Sequence, residues 1–196
     1  MSRVSRNELL YQGCYAHIIS RSIRKLKLFI DDEDFLFFKK LLIRAKSQAK
    51  FKIYHYCIMQ THFHLAVRMD DIKNFSHAIR DLKRDYAFKF HGKYKLSGPI
   101  WRERFKSLLI ENEDYLYACG KYIEENPVRA KLAKQAVDWD YSSGQCYELN
   151  EIDTLVDRYD KQVSMAEVVL NEEYFEGGSI IGSDFFRFQF FESRKR

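Results

Sequence analysis

Residues 51 to 69 hold two apolar runs, Phe51–Met59 and His62–Met69, separated only by Gln60-Thr61. Both alternate in strand fashion, and so tight a connection joins them as an antiparallel hairpin. That hairpin commits the chain to a sheet. His62 and His64 stand two apart in the second run, and alternate residues of a strand project from one face. Two imidazoles therefore point the same way from an apolar strand. Their desolvation needs partners. A divalent metal is one solution, and hydrogen bonds are the other, the commoner one for lone histidines.

The remaining elements follow from pattern and capping. Tyr11 to Arg21 reads as a first strand, rich in aromatic and β-branched residues. Asp31 or Asp32 can cap a helix through Phe35, Phe37, Leu41 and Leu42 toward Lys50, with acids at its start and bases near its end. Asp70-Asp71 can open a second helix, in which Phe75, Ile79, Leu82 and Phe88 recur at helical spacing. Residues 92–99 form a loop, Trp101 to Ile110 reads as a strand bearing Arg102, Arg104 and Lys106, and Asn112 caps a tyrosine-rich helix running to Asn126. The order strand, helix, hairpin, helix, strand, helix predicts an α+β fold. It suits a ferredoxin-like, RRM-like plait with a central antiparallel sheet and helices on one main face.

After Lys134 the character changes. Trp139–Ser143 reads as a connector, followed by acidic helical stretches around Leu155 and Val168–Leu170 and a last segment from Phe185 to Phe191. The expected division is a main domain over 1–134 and a helical C-terminal extension over 135–196.

Charge divides at nearly the same place. Residues 131–196 carry 8 Lys and Arg against 13 Asp and Glu, a net of −5, whereas residues 1–130 carry 25 against 15, a net of +10. A basic, aromatic-rich region suits a polyanion with bases to stack on, or is simply a solvated basic surface. The four cysteines, Cys14, Cys57, Cys119 and Cys146, form no C-x-x-C pair, so neither a zinc ribbon nor a secreted disulfide framework is suggested. No apolar stretch is long enough to span a membrane, and the N-terminus has no secretory pattern; a soluble, cytoplasmic protein is expected.

Tyr122 and Asn126 are four apart and so lie one turn apart on a helix. A tyrosine hydroxyl is a poor nucleophile until assisted, and an amide oxygen one turn away could complete a metal site with the two histidines. Open positions on such a metal could polarise a phosphodiester for in-line attack by Tyr122. Each residue also has an ordinary reading. Tyr122 is one of 13 tyrosines, Asn126 before Pro127 can simply end a helix, and Trp101 suits a core as well as a stacked base.

In combination and order these motifs resemble the HUH single-tyrosine transposases, especially the REP-associated tyrosine transposases of bacteria. The likeness lies in Tyr15–Arg21, Ile58–Leu65, Trp101-Arg102-Glu103-Arg104-Phe105 and Tyr122-Ile123-Glu124-Glu125-Asn126-Pro127-Val128-Arg129-Ala130. Trp139–Ser143 and Gly182-Ser183 before Phe185-Phe186 extend it over nearly the whole chain.

The resemblance implies that His62, His64 and Asn126 hold Mg2+ or Mn2+ and that Tyr122 attacks single-stranded DNA, leaving a 5′-phosphotyrosine and a free 3′-hydroxyl. It implies hairpin-forming palindromes as substrates, a nucleoid-associated location and a monomer, with a dimer as the alternative. Arg21, Arg80, Lys83, Arg84, Arg102, Arg104, Lys106 and Arg129 are the candidate nucleic-acid contacts. The chain departs from the family pattern at Thr61, where asparagine is common, and at Lys131, where glycine follows the Asn-Pro-Val-Arg-Ala motif. Glu124 and Glu125 stand where histidine or asparagine is frequent; they could accept protons, add ligands or face water. Two other readings remain, a domesticated hairpin-binding protein that does not cut and a metal hydrolase using water.

Overall fold

Strands that are apolar on both faces require cover on both sides, and the chain supplies it unequally. The structure, a computed structural model, describes residues 10–158, 170, 180–184, 186 and 187. Strands β1 (Cys14–Arg21), β2 (Lys52–Met59), β3 (His62–Met69), β4 (Lys106–Ile110) and β5 (Ile180–Ile181) form one sheet in the order β2-β3-β1-β4-β5. The first four pair antiparallel, as the hairpin requires. β5 instead runs parallel to β4, so the sheet is mixed.

The helices are α1 (Asp32–Ala49), α2 (Ile72–Tyr94), α3 (Glu113–Glu124), α4 (Asn126–Arg129) and α5 (Gly144–Glu148). Each of the first three starts where a side chain caps it: Asp31 accepts from the Asp34 amide, Asp71 from Asn74 and Asn112 from Tyr115. At α1 the Asp34 carboxylate also accepts from the Asp31 amide, completing a capping box. α1 and α2 occupy the expected main face. Phe38 and Leu42 of α1 and Phe75, Ile79, Leu82 and Tyr86 of α2 bury against Ile18, Tyr56, Ile58, Phe63, Leu65 and Val67. α3 adds a smaller layer on the other face, where Leu116, Cys119 and Ile123 meet Ile19, Cys57, Ala66, Leu108 and Ile110. The histidines lie on this second face.

A bulge decides what β2 shows to each layer. Its register against β3 shifts between Ile53 and His55, so Ile53 faces the main core while His55, two residues on, faces α3 with Cys57 and Met59. Strict alternation would have put Ile53 and His55 on one side.

Three expectations need correction. Residues 101–105 are not strand: Trp101 bridges Ser22, and the Glu103 and Arg104 carbonyls turn to accept hydrogen bonds from the buried Lys83 ammonium at 2.7 and 2.6 Å. These carbonyls are turned toward α2 instead of a neighbouring strand. The helix expected through Asn126 breaks at Glu125, where α4 begins with Pro127 among its first residues. Residues 151–158 are not helical: only 154–155 form a turn, where the Asp153 carboxylate accepts from the Leu155 amide and so competes with helical bonding. Most of Val168–Leu170 and Phe185–Phe191 lies outside the described residues.

Later chain seals the sheet's edges. Along β2, Ser142 bridges Cys57, the Ser143 amide donates to the Tyr56 carbonyl and the Asp157 amide donates to the Ile53 carbonyl. Leu155 is fully buried in the main core. Beyond β4, Ile180 pairs with Leu109, and the Ser183 amide donates to the Glu111 carboxylate at 2.6 Å. All four cysteines are buried and free. Among the described residues no helix is long and apolar enough to cross a membrane.

Candidate active site

β3 places His62 and His64 on the α3 side, with ring centroids 4.9 Å apart. His64 is buried, and His62, at the strand's beginning, is half-buried. β1 contributes a third imidazole. His17, fully buried, lies 2.8 Å from His64 between its Nε2 and the His64 Nδ1, with the two rings stacked. The Thr61 hydroxyl lies 2.9 Å from the His62 Nδ1. Both candidate histidine ligands therefore have their Nδ1 occupied. The His64 Nε2 is buried with no hydrogen-bond partner among the described residues.

Electrostatics keep these rings neutral. Burial holds His62 down at about 4, with Arg21 adding to the effect. Burial pushes His64 well below its ordinary value, helped by His62, His17, Arg21 and Arg129. His17 is lowered to about 3 by burial, then by Lys106 and Arg21. Neutral imidazole is the form that binds metals. The same cations that suppress protonation favour an anion nearby.

α3 and α4 bring Tyr122 and Asn126 to this face. The Asn126 Nδ2 donates to the Tyr122 and Ile123 carbonyls at 3.1 and 3.0 Å, so the amide oxygen is the atom left to ligate. The Arg129 guanidinium stacks on the Tyr122 ring at 3.7 Å, donates to the Tyr122 carbonyl and pairs with Glu125. Because Arg129 also acts on His64, the tyrosine's neighbourhood and the histidine pair share one field.

Glu124 does not face water. It is fully buried, accepting from His55 Nδ1 and Ser143 Oγ, each at 2.7 Å. Burial alone would raise its carboxyl, but His55 and these hydrogen bonds outweigh that and hold it below the ordinary value of 4.5. His55 stacks on Tyr147 at 4.4 Å. Gly120 of α3 rests directly over the His55 ring, where an added Cβ would fall far inside contact distance. This trio fastens the Tyr122 helix to β2 and to the segment after Ser142. Composition and spacing gave no signal for it, since His55, Glu124 and Ser143 are distant in sequence.

The candidate cations separate into groups. Arg21 ends β1 opposite His62, and Lys106 begins β4 opposite Ile19, both on the histidine side. Arg102 and Arg104 are exposed, on the loop whose Arg102 amide donates to the Arg21 carbonyl at the same end of the sheet. Arg80 and Arg84 are exposed on α2, the other layer, where they pair with Asp81 and Asp85. Lys83 is a correction: 7% exposed, with its ammonium spent on two carbonyls and 5.0 Å from the Trp101 ring, it holds the loop and does not reach outward.

Among the described residues, no group of three or more His, Cys, Asp or Glu side chains is placed to hold a metal. An ion here would therefore need a donor of another kind to join the two histidines, such as an amide oxygen. The residue types suit one: two neutral imidazoles, one with an unpartnered buried Nε2, and an amide whose nitrogen is already bonded and whose oxygen is the ligating end are donors of the mixed nitrogen and oxygen kind.

The chain resembles a solved structure of a REP-associated tyrosine transposase bound to a REP hairpin, at 20% identity and a TM-score of 0.60, over 87% of this chain and 100% of that one. A Deinococcus radiodurans structure assigned as a transposase is similar at 18% identity and a TM-score of 0.41, over 64% of this chain and 97% of that one. The first likeness supports the fold. No curated protein matches. The model of the IS200-like transposases matches residues 10–126, a stretch running from before β1 to Asn126 and so containing the whole histidine and tyrosine arrangement. The chain belongs to the IS200-like transposase family, a family of DNA transposases.

Proposed function

We propose that this transposase is a metal-dependent, single-tyrosine transesterase that nicks and rejoins single-stranded DNA at hairpin-forming palindromes. The observation that carries the reading is the neutral histidine pair with its unpartnered His64 Nε2, on the sheet face that the Tyr122 helix covers. His62, His64 and Asn126 would hold Mg2+ or Mn2+, which when bound supplies Lewis-acid polarisation of the phosphodiester. Tyr122 is the nucleophile. A bond forms between its Oη and phosphorus, the bond from phosphorus to the 3′-oxygen breaks, and the phenolic proton passes to water as the 3′-oxygen gains one. The product is a 5′-phosphotyrosine and a free 3′-hydroxyl. Attack by another 3′-hydroxyl reverses the step, so bond energy is conserved in the protein link and no nucleotide triphosphate is needed.

The chain's other groups orient and attract. Arg129 packs on the Tyr122 ring and fixes its rotamer by stacking, while Arg21, Lys106, Arg102 and Arg104 supply positive charge at the sheet end that bears His62. A hairpin partner is supported by the REP hairpin held in the similar solved structure. The test uses labelled single-stranded hairpin DNA with Mn2+. A denaturation-resistant adduct is expected from the natural chain and none from Tyr122→Phe, whose DNA binding should persist. Cleavage by Tyr122→Phe, or binding without any adduct from the natural chain, would overturn the reading.

A further inference from the structure

Two different kinds of contact hold α3 to the sheet. Leu116, Cys119 and Ile123 form an apolar stripe, whose burial is non-directional and resists neither a small rotation nor a small slide. Glu124 supplies the direction. Its Oε1 accepts from the His55 Nδ1 and the Ser143 Oγ, each at 2.7 Å, and all three residues are fully buried. Gly120, one turn earlier, lets the helix rest against the His55 ring. Tyr122 stands two positions before Glu124, about 200° round the helix, so the two lie on opposite borders of the stripe. Any turn of the helix about that stripe swings the phenol.

Register carries the Glu124 bond to the histidine pair. His55 stands opposite Ala66 and Cys57 opposite His64, so a directional link runs from the Tyr122 helix through Glu124 and His55 into the hairpin that bears His62 and His64. Ser143 is fixed to the same hairpin: its amide donates to the Tyr56 carbonyl and its Oγ accepts from the Tyr56 amide, both at 3.0 Å. It lies beyond the matched residues 10–126, so later chain completes the seat of the helix. We infer that His55, Glu124 and Ser143 are positioning residues, which set the rotation and height of α3 and so where the Tyr122 hydroxyl stands relative to the histidine pair. The inference rests on Tyr122 being the nucleophile, as proposed above, and gives none of the three a ligand role. Each acts through the helix.

The full chain is used throughout. Adduct formation with labelled single-stranded hairpin DNA and Mn2+ is timed across DNA concentrations, at a temperature where circular dichroism shows folded protein. A misplacement of about 1 Å costs on the order of 100-fold in rate. A loss of that size is expected in the saturating rate of Glu124→Leu, with the half-saturating DNA concentration unchanged. Glu124→Gln keeps an oxygen for both donors and should retain most of the rate. Leu42→Ala, in the main core on the other side of the sheet, lowers stability but should keep the natural rate. A natural rate in Glu124→Leu, a rate in Glu124→Gln as low as that of Glu124→Leu, or an equal loss in Leu42→Ala would overturn the inference alone. No adduct from the natural protein, or an adduct from Tyr122→Phe, would overturn the nucleophile reading and this inference with it. Should Glu124→Leu fail to fold, Ser143→Ala decides: a lowered saturating rate at unchanged half-saturation upholds the inference, and a natural rate overturns it.

Discussion

Gly120→Ala reverses the usual sign of a helical substitution. In the interior of a helix, alanine is ordinarily favoured over glycine by about 1 kcal/mol. Here the new Cβ would meet the Cδ2, Cε1 and Nε2 atoms of His55 well inside contact distance. The ring has nowhere inexpensive to go. It is fully buried, bonded to Glu124 at 2.7 Å and stacked on Tyr147 at 4.4 Å. Overpacking a tight interior costs about 1–3 kcal/mol, and weakening a buried charge-assisted hydrogen bond costs about 1.5–3 kcal/mol. After the helical gain, a net loss of about 1.5–5 kcal/mol remains. For a chain of this length that is a fall in Tm of roughly 3–20 °C. Urea unfolding followed by circular dichroism reads it as a lower midpoint with an unchanged slope. In a double-mutant cycle, His55→Ala should remove the clash, so Gly120→Ala on that background should cost much less. A Gly120→Ala protein with a raised midpoint would refute the reasoning.

Further outcomes follow from the charges and the loop. His62 and His17 are held at about 4 and about 3 against an ordinary 6.5, so unfolding takes up protons; stability should be complete above 6.5 and fall as pH drops toward 4, which midpoints across that range will check. His62→Ala should make that fall shallower. Lys83→Met should lower stability by about 1–3 kcal/mol by leaving the Glu103 and Arg104 carbonyls without their donor, yet leave the salt dependence of DNA binding unchanged. Arg102→Ala should do the opposite, keeping stability and reducing the slope of binding against salt by about 1. Fluorescence anisotropy with a labelled hairpin over a salt series separates the two.

Much of this architecture was legible because local chemistry agreed with the final fold. Asp31, Asp71 and Asn112 cap where a polar residue precedes an apolar period, and the hairpin closes at Gln60-Thr61 because nothing else fits two residues. Where reading failed, a tertiary contact had overruled the pattern. Arg102 and Arg104 alternate like strand residues, but Lys83 from another helix diverts the carbonyls between them. Charged residues at 124 and 125 look alike in sequence, yet one is buried against His55 and the other is exposed beside Arg129. The bulge at Ile53 hid His55, since parity along a strand is reliable only while the register holds. The histidine pair was visible from its spacing. Its third member was not, because no sequence pattern reveals which residue of β1 will lie diagonal to His64.

The closure of both sheet edges by the last quarter of the chain sets an order of events at the ribosome. β1 to β4 are complete once Ile110 has been made, but the strand beside Leu109 is not translated until Ile180, and the cover for β2 comes only with residues 141–157. For the time needed to make some seventy residues, at about 5–20 residues per second, a nascent sheet carries two unpaired borders. Such borders recruit other strands. A chain stopped at residue 134 would keep them permanently, so synthesis to the end protects this protein from its own copies.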